Sequence, residues 1–74
     1  MPALRKTTEQ QRETAIKIAL TTARLEKGWS VGHLAKLLGM SPPQVSVIIN
    51  HPLQRELRTL LRVSDKLGVN LFNI

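Results

Sequence analysis

The chain has 74 residues, enough for one domain with a thin core. Hydrophobic residues make up 42% of the sequence, which excludes a disordered tail, and the lack of cysteine excludes disulfide bonds and thiolate metal sites. Eleven Lys and Arg against five Asp and Glu give a net charge of +6. This excess indicates polyanionic partners, above all nucleic acid, although it would also serve solubility alone.

The sequence contains no apolar stretch of the roughly 20 residues that a membrane span requires, and its N-terminus turns polar at once. We therefore expect a cytoplasmic protein that makes no membrane contact. Residues 1–7 are interpreted as a flexible basic arm, and residues 8–74 as a single domain.

The first predicted helix begins at Thr7 or Thr8, because each is followed three residues later by a glutamine, as in a capping box. Gly28 is expected to end this helix. One face follows spacings of four, three and four residues, which are typical of a helix. It consists of Ile16, Leu20, Ala23 and Lys27.

Two short helices follow. Ser30 is a suitable N-cap for the second, and Gly39 ends it. Ser41 caps the third helix, Pro42 suits its first position, and Gln44 closes a capping box. The side chains expected to point inward are Leu34, Ala35, Leu38, Val45 and Ile48.

A fourth helix is predicted from about Glu56 to Leu67, with Gly68 as its stop. Asn70 is a candidate cap for one last turn ending at Ile74. No segment alternates as a strand does, so the sequence predicts an all-α bundle of four to five helices. The apolar face expected on the fourth helix comprises Leu57, Leu60, Leu61, Ser64 and Leu67.

The second and third helices are separated only by Gly39-Met40-Ser41. A turn of three or four residues containing glycine, between two short helices, is typical of a helix-turn-helix, here at about residues 31–50. Ala35 must be small where the helices cross, and Val45 and Ile48 would hold the third helix against the domain.

Residues from about 16 to 74 resemble the phage Cro/CI-repressor type of helix-turn-helix domain, a large family of bacterial and phage regulators. The resemblance implies a lambda-repressor-like fold and a sequence-specific transcription regulator, most simply a stand-alone phage-type repressor that binds double-stranded DNA as a homodimer. It implies neither catalysis nor a cofactor. The matching segments are 24–30, 34–35, 38–41, 45–46, 48, 50, 60–61 and 67–71.

Three positions depart from the family's pattern. Val31 replaces the glutamine that usually anchors a phosphate, and Ile49 replaces a glutamate that often pairs with the arginine of the first helix. Arg24 is therefore expected to be free of that partner. The third departure is that residues 37–54 contain no Asp, Glu, Lys or Arg.

The resemblance places the third helix in the major groove. Without an arginine to bind guanine there, we expect a site rich in A·T pairs. Each candidate also has a structural interpretation: capping for Gln44, and stiffening of the helix start for Pro42 and Pro43. The candidate base contacts are Ser41, Pro42, Pro43, Gln44, Ser46 and Val47.

Phosphate contacts would supply most of the affinity. The alternative interpretation of each charged candidate is a solvated surface charge, and the alternative for Asn50 is a helix C-cap. Arg62 and Lys66 are not candidates, because they are expected to face solvent. The candidate phosphate contacts are Lys36, Asn50, Arg55, Arg58, Arg5 and Lys6.

Leu71, Phe72 and Ile74 form an apolar C-terminal tail that is a candidate dimer contact, unless it only completes the core. Two rival functions stay open. An antitoxin would use residues 1–15 or this tail to hold a toxin, and a protein-interaction module would use Val47 and Ile49, expected to be exposed or half-exposed.

No enzymatic role is expected. His33 and His51 are far apart in the sequence, and no cysteine or carboxylate pair accompanies them with the spacing of a metal or catalytic site. His33 is interpreted as a surface residue or one near a phosphate. We expect neither a metal nor a cofactor.

Overall fold

The computed structural model of the chain describes residues 8–71. It contains no strand in that range, which confirms the prediction of an all-α bundle. The predicted arm, Phe72 and Ile74 lie outside the described residues, as does the end of the predicted last turn. The elements are α1 (Thr8–Glu26), α2 (Val31–Leu38), α3 (Pro42–Asn50), a 3-10 turn (Pro52–Gln54) and α4 (Leu57–Leu67).

The two short helices begin at the predicted caps. The Ser30 hydroxyl accepts a hydrogen bond from the His33 backbone N–H at 3.0 Å. Ser41 and Gln44 form a capping box, in which the Ser41 backbone N–H donates to Gln44 Oε1 at 2.9 Å. These contacts satisfy backbone donors that would otherwise lack partners at a helix start, so the sequence itself sets where α2 and α3 begin.

The core lies where the four helices meet, and it is aliphatic. The inward positions predicted on α2 and α3 are all buried, and the helices of this pair pack against each other more extensively than any others in the described chain. Burying such side chains is the main favourable contribution to folding in so small a domain. The buried hydrophobic residues are Leu20, Leu34, Ala35, Leu38, Val45, Ile48, Ile49, Leu60, Val63 and Leu67.

Two expectations about the core are wrong. Ile49 is 5% exposed rather than exposed or half-exposed, because it follows Val45 by four residues and so lies on the same face of α3. Leu57 is 59% exposed, because α4 begins there and extends beyond the core by one turn. Val63 takes an inward position on α4 and is completely buried.

The connection between α3 and α4 is fixed by contacts between residues distant in sequence. Pro52 is buried, and the Leu53 backbone N–H donates to Glu13 Oε2 on α1 at 3.2 Å. Arg62 was expected to face solvent; its side chain is largely exposed, but its guanidinium donates to the Leu38 carbonyl at 2.8 Å. This bond satisfies a backbone acceptor at the C-terminal end of α2.

The turn between α2 and α3 depends on the backbone freedom of Gly39. Its φ is +69°, and an added Cβ would meet no atom within 4 Å. A substitution there introduces backbone strain without a clash.

We expect Gly39→Ala to lower the free energy of unfolding by about 1 kcal/mol. Gly32→Ala is the matched control, because Gly32 lies within α2 and an added Cβ would approach only Ser30 Oγ, at 3.9 Å. Alanine has the better helix propensity, so this control is expected to stabilise by about 0.5–1 kcal/mol. Urea denaturation measures both, and shifts of the same sign would contradict the role given to Gly39.

Candidate nucleic-acid interface

Helix α3 has one buried face and one accessible face. Val45, Ile48 and Ile49 hold it to the core. A helix turns about 100° per residue, so Pro43, Val47 and Asn50 lie on the opposite side. Of the six predicted base-contact residues, Ser41, Pro42, Pro43 and Gln44 are exposed, whereas Ser46 and Val47 are half-buried.

The start of α3 is rigid because Gln44 acts as a capping side chain. Its Oε1 accepts from both the backbone N–H and the hydroxyl of Ser41, the latter at 3.1 Å. These bonds use the acceptor of the carboxamide and leave its N–H donors for another acceptor. Gln44 therefore caps α3, as its structural interpretation predicted. A base contact through its N–H group stays a prediction.

Asn50 occupies the last position of α3 and is exposed. Its Nδ2 donates to the Ser46 carbonyl at 2.9 Å and to the Ser46 hydroxyl at 3.3 Å. The C-cap is His51, so the interpretation of Asn50 as the cap is wrong. The amide is oriented by these bonds, which use both of its N–H donors and leave Oδ1 for an outside partner.

A groove of about 400 Å³ lies between the start of α3 and the start of α4. Gln44 and Arg55 both line it, so the structure places one predicted phosphate contact beside one predicted base contact. Glu56 also lines this groove. Lys36 and Arg58 are exposed on α2 and α4 but do not line it, and Arg5 and Lys6 lie outside the described residues.

An aromatic cluster covers the start of α2, and sequence analysis did not single it out as a unit. The Lys27 ammonium lies 5.2 Å from the centre of the Trp29 ring, within range of a cation–π interaction. The His33 ring centre lies 5.6 Å from that of Trp29. The pattern Lys-x-Trp-Ser before a histidine at the third helical position was the available signal.

Arg24 lacks the family's glutamate but is not free. One of its terminal nitrogens donates to the Trp29 carbonyl at 2.7 Å, which fastens the end of α1 to the segment before α2. Its Nε is buried without a hydrogen-bond partner among the described residues. This arginine therefore holds the scaffold together and is not available as a phosphate contact.

The predicted C-terminal contact is described only at Leu71, which is half-buried and packs against the core. Leu71 also borders a second groove, of about 340 Å³, between α1 and the 3-10 turn. Ala15, Ile16 and Leu53 form the other apolar walls of this groove.

Residues 8–71 contain no group of three or more His, Cys, Asp or Glu side chains arranged to hold a metal ion. In the same range, no helix combines the length and apolar character needed to cross a bilayer. In comparisons with known proteins, no family model, curated protein or solved structure matches the chain.

Proposed function

We propose that this protein is a sequence-specific double-stranded DNA-binding regulator of the lambda-repressor-like helix-turn-helix type, with α3 as its recognition helix. The observation that carries the proposal is the division of α3 into a buried face and an accessible face. The accessible face ends in the exposed polar residues Gln44 and Asn50. A short helix held rigidly from one side, in a chain of net charge +6, suits insertion into the major groove.

Asn50 is a candidate for reading a base because it is exposed at the end of α3. A carboxamide recognises adenine through one acceptor and one donor together; Asn50 keeps its Oδ1 available, but a two-bond contact would require its 3.3 Å bond to the Ser46 hydroxyl to break. Gln44 uses its acceptor within the capping box, so a two-bond contact with adenine would require that box to open. The proposal therefore adds a base contact for Asn50 to its predicted phosphate contact and keeps the expected preference for A·T pairs.

Arg55 is the best-placed candidate phosphate contact among the described residues, because it shares a groove with Gln44. Lys36 and Arg58 add positive charge on the helices that flank α3. Together with Arg5 and Lys6 they would release counterions from DNA, which is the main source of affinity in such complexes. The proposal gives the chain a binding role without catalysis, most simply as a phage-type repressor.

The rival function of a protein-interaction module is weakened. It relied on an uncharged α3 with Val47 and Ile49 exposed or half-exposed, and Ile49 is buried whereas Val47 is half-buried. An antitoxin role rests on residues 1–15 and the C-terminal tail, most of which lie outside the described residues. DNA binding through α3 is common to the repressor and the antitoxin.

Duplex binding measured against salt concentration tests the proposal. With five cations on phosphates, the logarithm of the association constant should fall with the logarithm of salt concentration at a slope of about −4 to −5 per protomer. Fluorescence anisotropy with a labelled random-sequence duplex gives this slope. A slope near zero, or no binding at about 50 mM salt, would overturn the proposal.

Single substitutions then show which positive charges contact phosphates, because only those should change the slope of the salt dependence. Arg55→Gln should reduce the magnitude of the slope by about 1. Lys66→Gln removes the same charge from the last turn of α4 and should leave the slope unchanged. Equal changes in the two variants would show that only net charge matters.

A further inference from the structure

The side of α1 that faces away from the core carries no charge. At about 100° per residue, every charged residue of this helix lies at least about 80° from Ile18. Helices at a protein surface usually place their charged side chains outward, so this arrangement is unusual. We call these residues the α1 stripe: Gln11, Thr14, Ile18, Thr22 and Leu25.

Two large aliphatic side chains of the α1 stripe are exposed to solvent. Ile18 is 59% exposed and Leu25 is 62% exposed. A chain with a net charge of +6 repels a second copy of itself, so a contact between copies must avoid adding close pairs of like charge. The α1 stripe meets that requirement.

The spacing of the α1 stripe is self-complementary. Ile18 lies next to the middle of the 19-residue helix, so an antiparallel pair related by a two-fold axis brings the two Ile18 side chains together. The same register places Leu25 of each copy opposite Gln11 of the other. Thr14 then lies opposite Thr22.

A groove suited to the Leu25 side chain of a second copy lies beside Gln11. The groove of about 340 Å³ between α1 and the 3-10 turn is lined by the polar side chains of Thr8, Gln11 and Arg12 and has apolar walls that include Ala15, Leu53 and Leu71. Leu25 is not packed into its own chain, since 62% of it is exposed. Two-fold symmetry would fill two grooves with two leucines, one from each copy.

From these observations we propose that the α1 stripe is the contact between two antiparallel copies of this chain, with Leu25 of each copy seated in the groove of the other. The inference deepens the proposed function by locating its dimer contact on α1, with Leu71 contributing only a groove wall. A single pair of helices about 28 Å long makes a small interface, below about 1,200 Å² in total, so the dimer is weak.

Sedimentation equilibrium up to about 1 mM protein, without DNA, tests the contact. The wild-type chain should dimerise, and Ile18→Glu should raise the dimer dissociation constant at least about 10-fold, because two carboxylates would meet on the two-fold axis. Leu57→Glu is the matched control, since Leu57 is also 59% exposed but lies on α4. Equal weakening by both substitutions would overturn the proposal.

Cross-linking tests the antiparallel register, since the chain has no natural cysteine. Ile18→Cys should form a disulfide-linked dimer, because its two copies meet at the axis. Leu25→Cys alone should not, because its copies lie about 20 Å apart along the helices and a disulfide requires Cα atoms within about 7 Å. A mixture of Gln11→Cys and Leu25→Cys should cross-link. Efficient linkage of Leu25→Cys to itself would overturn the antiparallel arrangement.

The alternative occupants of the stripe and groove are distinguished by the same measurements. A wild-type chain that stays monomeric at every concentration overturns the proposal and leaves the groove to Phe72 or to a different protein. Because dimerisation is measured without DNA, that result leaves salt-dependent DNA binding standing. A dimer that ignores duplex DNA would instead overturn the proposed function alone.

Discussion

Val47→Glu is expected to weaken duplex binding by at least about 100-fold, which corresponds to about 2.7 kcal/mol. Val47 lies on the side of α3 opposite the buried residues, so in the proposed complex a glutamate there would enter the major groove between two phosphate backbones. Juxtaposed like charges cost several kcal/mol, and the apolar contact with a thymine methyl group would be lost as well. Fluorescence anisotropy at constant salt measures the change.

The control for this variant is Leu37→Glu, which makes a comparable change of an aliphatic side chain to a carboxylate. Leu37 is 43% exposed and lies on α2, so the variant has the same net charge but an unaltered recognition helix. We expect it to bind duplex DNA within a few-fold of the wild type. Circular dichroism should show that both variants stay helical. If Leu37→Glu lost as much affinity as Val47→Glu, α3 would not be the contact surface.

Leu34→Ala is expected to have the largest effect on stability. Leu34 lies on α2 and is completely buried in the core. Removing a buried leucine side chain costs about 2–5 kcal/mol through lost burial and the cavity left behind. A domain of this size has a total stability of roughly 4–11 kcal/mol, so much of it would be lost. Urea denaturation at low temperature measures the difference.

Leu37→Ala provides the comparison within the same helix. Leu37 is partly exposed, so its truncation should cost less than about 1 kcal/mol. The two substitutions make the same chemical change three residues apart on one helix, so they change helix propensity equally. The difference between their free energies of unfolding therefore reports the effect of burial. Similar costs for both would contradict the described packing of α2.

The helix limits could be predicted because their signals are local. Ser30 and Ser41 cap the helices that follow them, and Gly39 and Gly68 end helices with positive φ values. Each of these features depends on a few neighbouring residues, so the sequence displays it directly. The buried faces of α2 and α3 followed from helical spacing for the same reason.

Apart from Ile49, whose burial follows from its spacing of four residues from Val45, the errors came from contacts between residues distant in sequence. The exposure of Leu57 depends on where the core ends, and burial of Pro52 depends on the packing of the 3-10 turn. Arg62 bonds to a carbonyl on another helix, at a sequence separation of 24 residues. A periodic pattern shows which side chains share a face but not what lies opposite that face.

The candidate site was predictable as a surface but not as a set of contacts. Exposure of Pro43 and Gln44 followed from their position on α3. The proximity of Arg55 to Gln44 required the path of the chain between α3 and α4. The bonds that orient Asn50 towards Ser46 could have been suspected from their spacing of four residues, since the Asn amide can bond back within a helix.

The two-sided character of α3 separates the residues that maintain the domain from those open to evolutionary change. Val45, Ile48 and Ile49, with the Ser41–Gln44 cap, suffice to anchor the helix. Substitutions at Pro43 and Val47 can therefore accumulate with little cost to folding, because neither side chain is part of the buried cluster. If α3 binds DNA as proposed, changes at these positions would alter the preferred sequence while the framework stays unchanged.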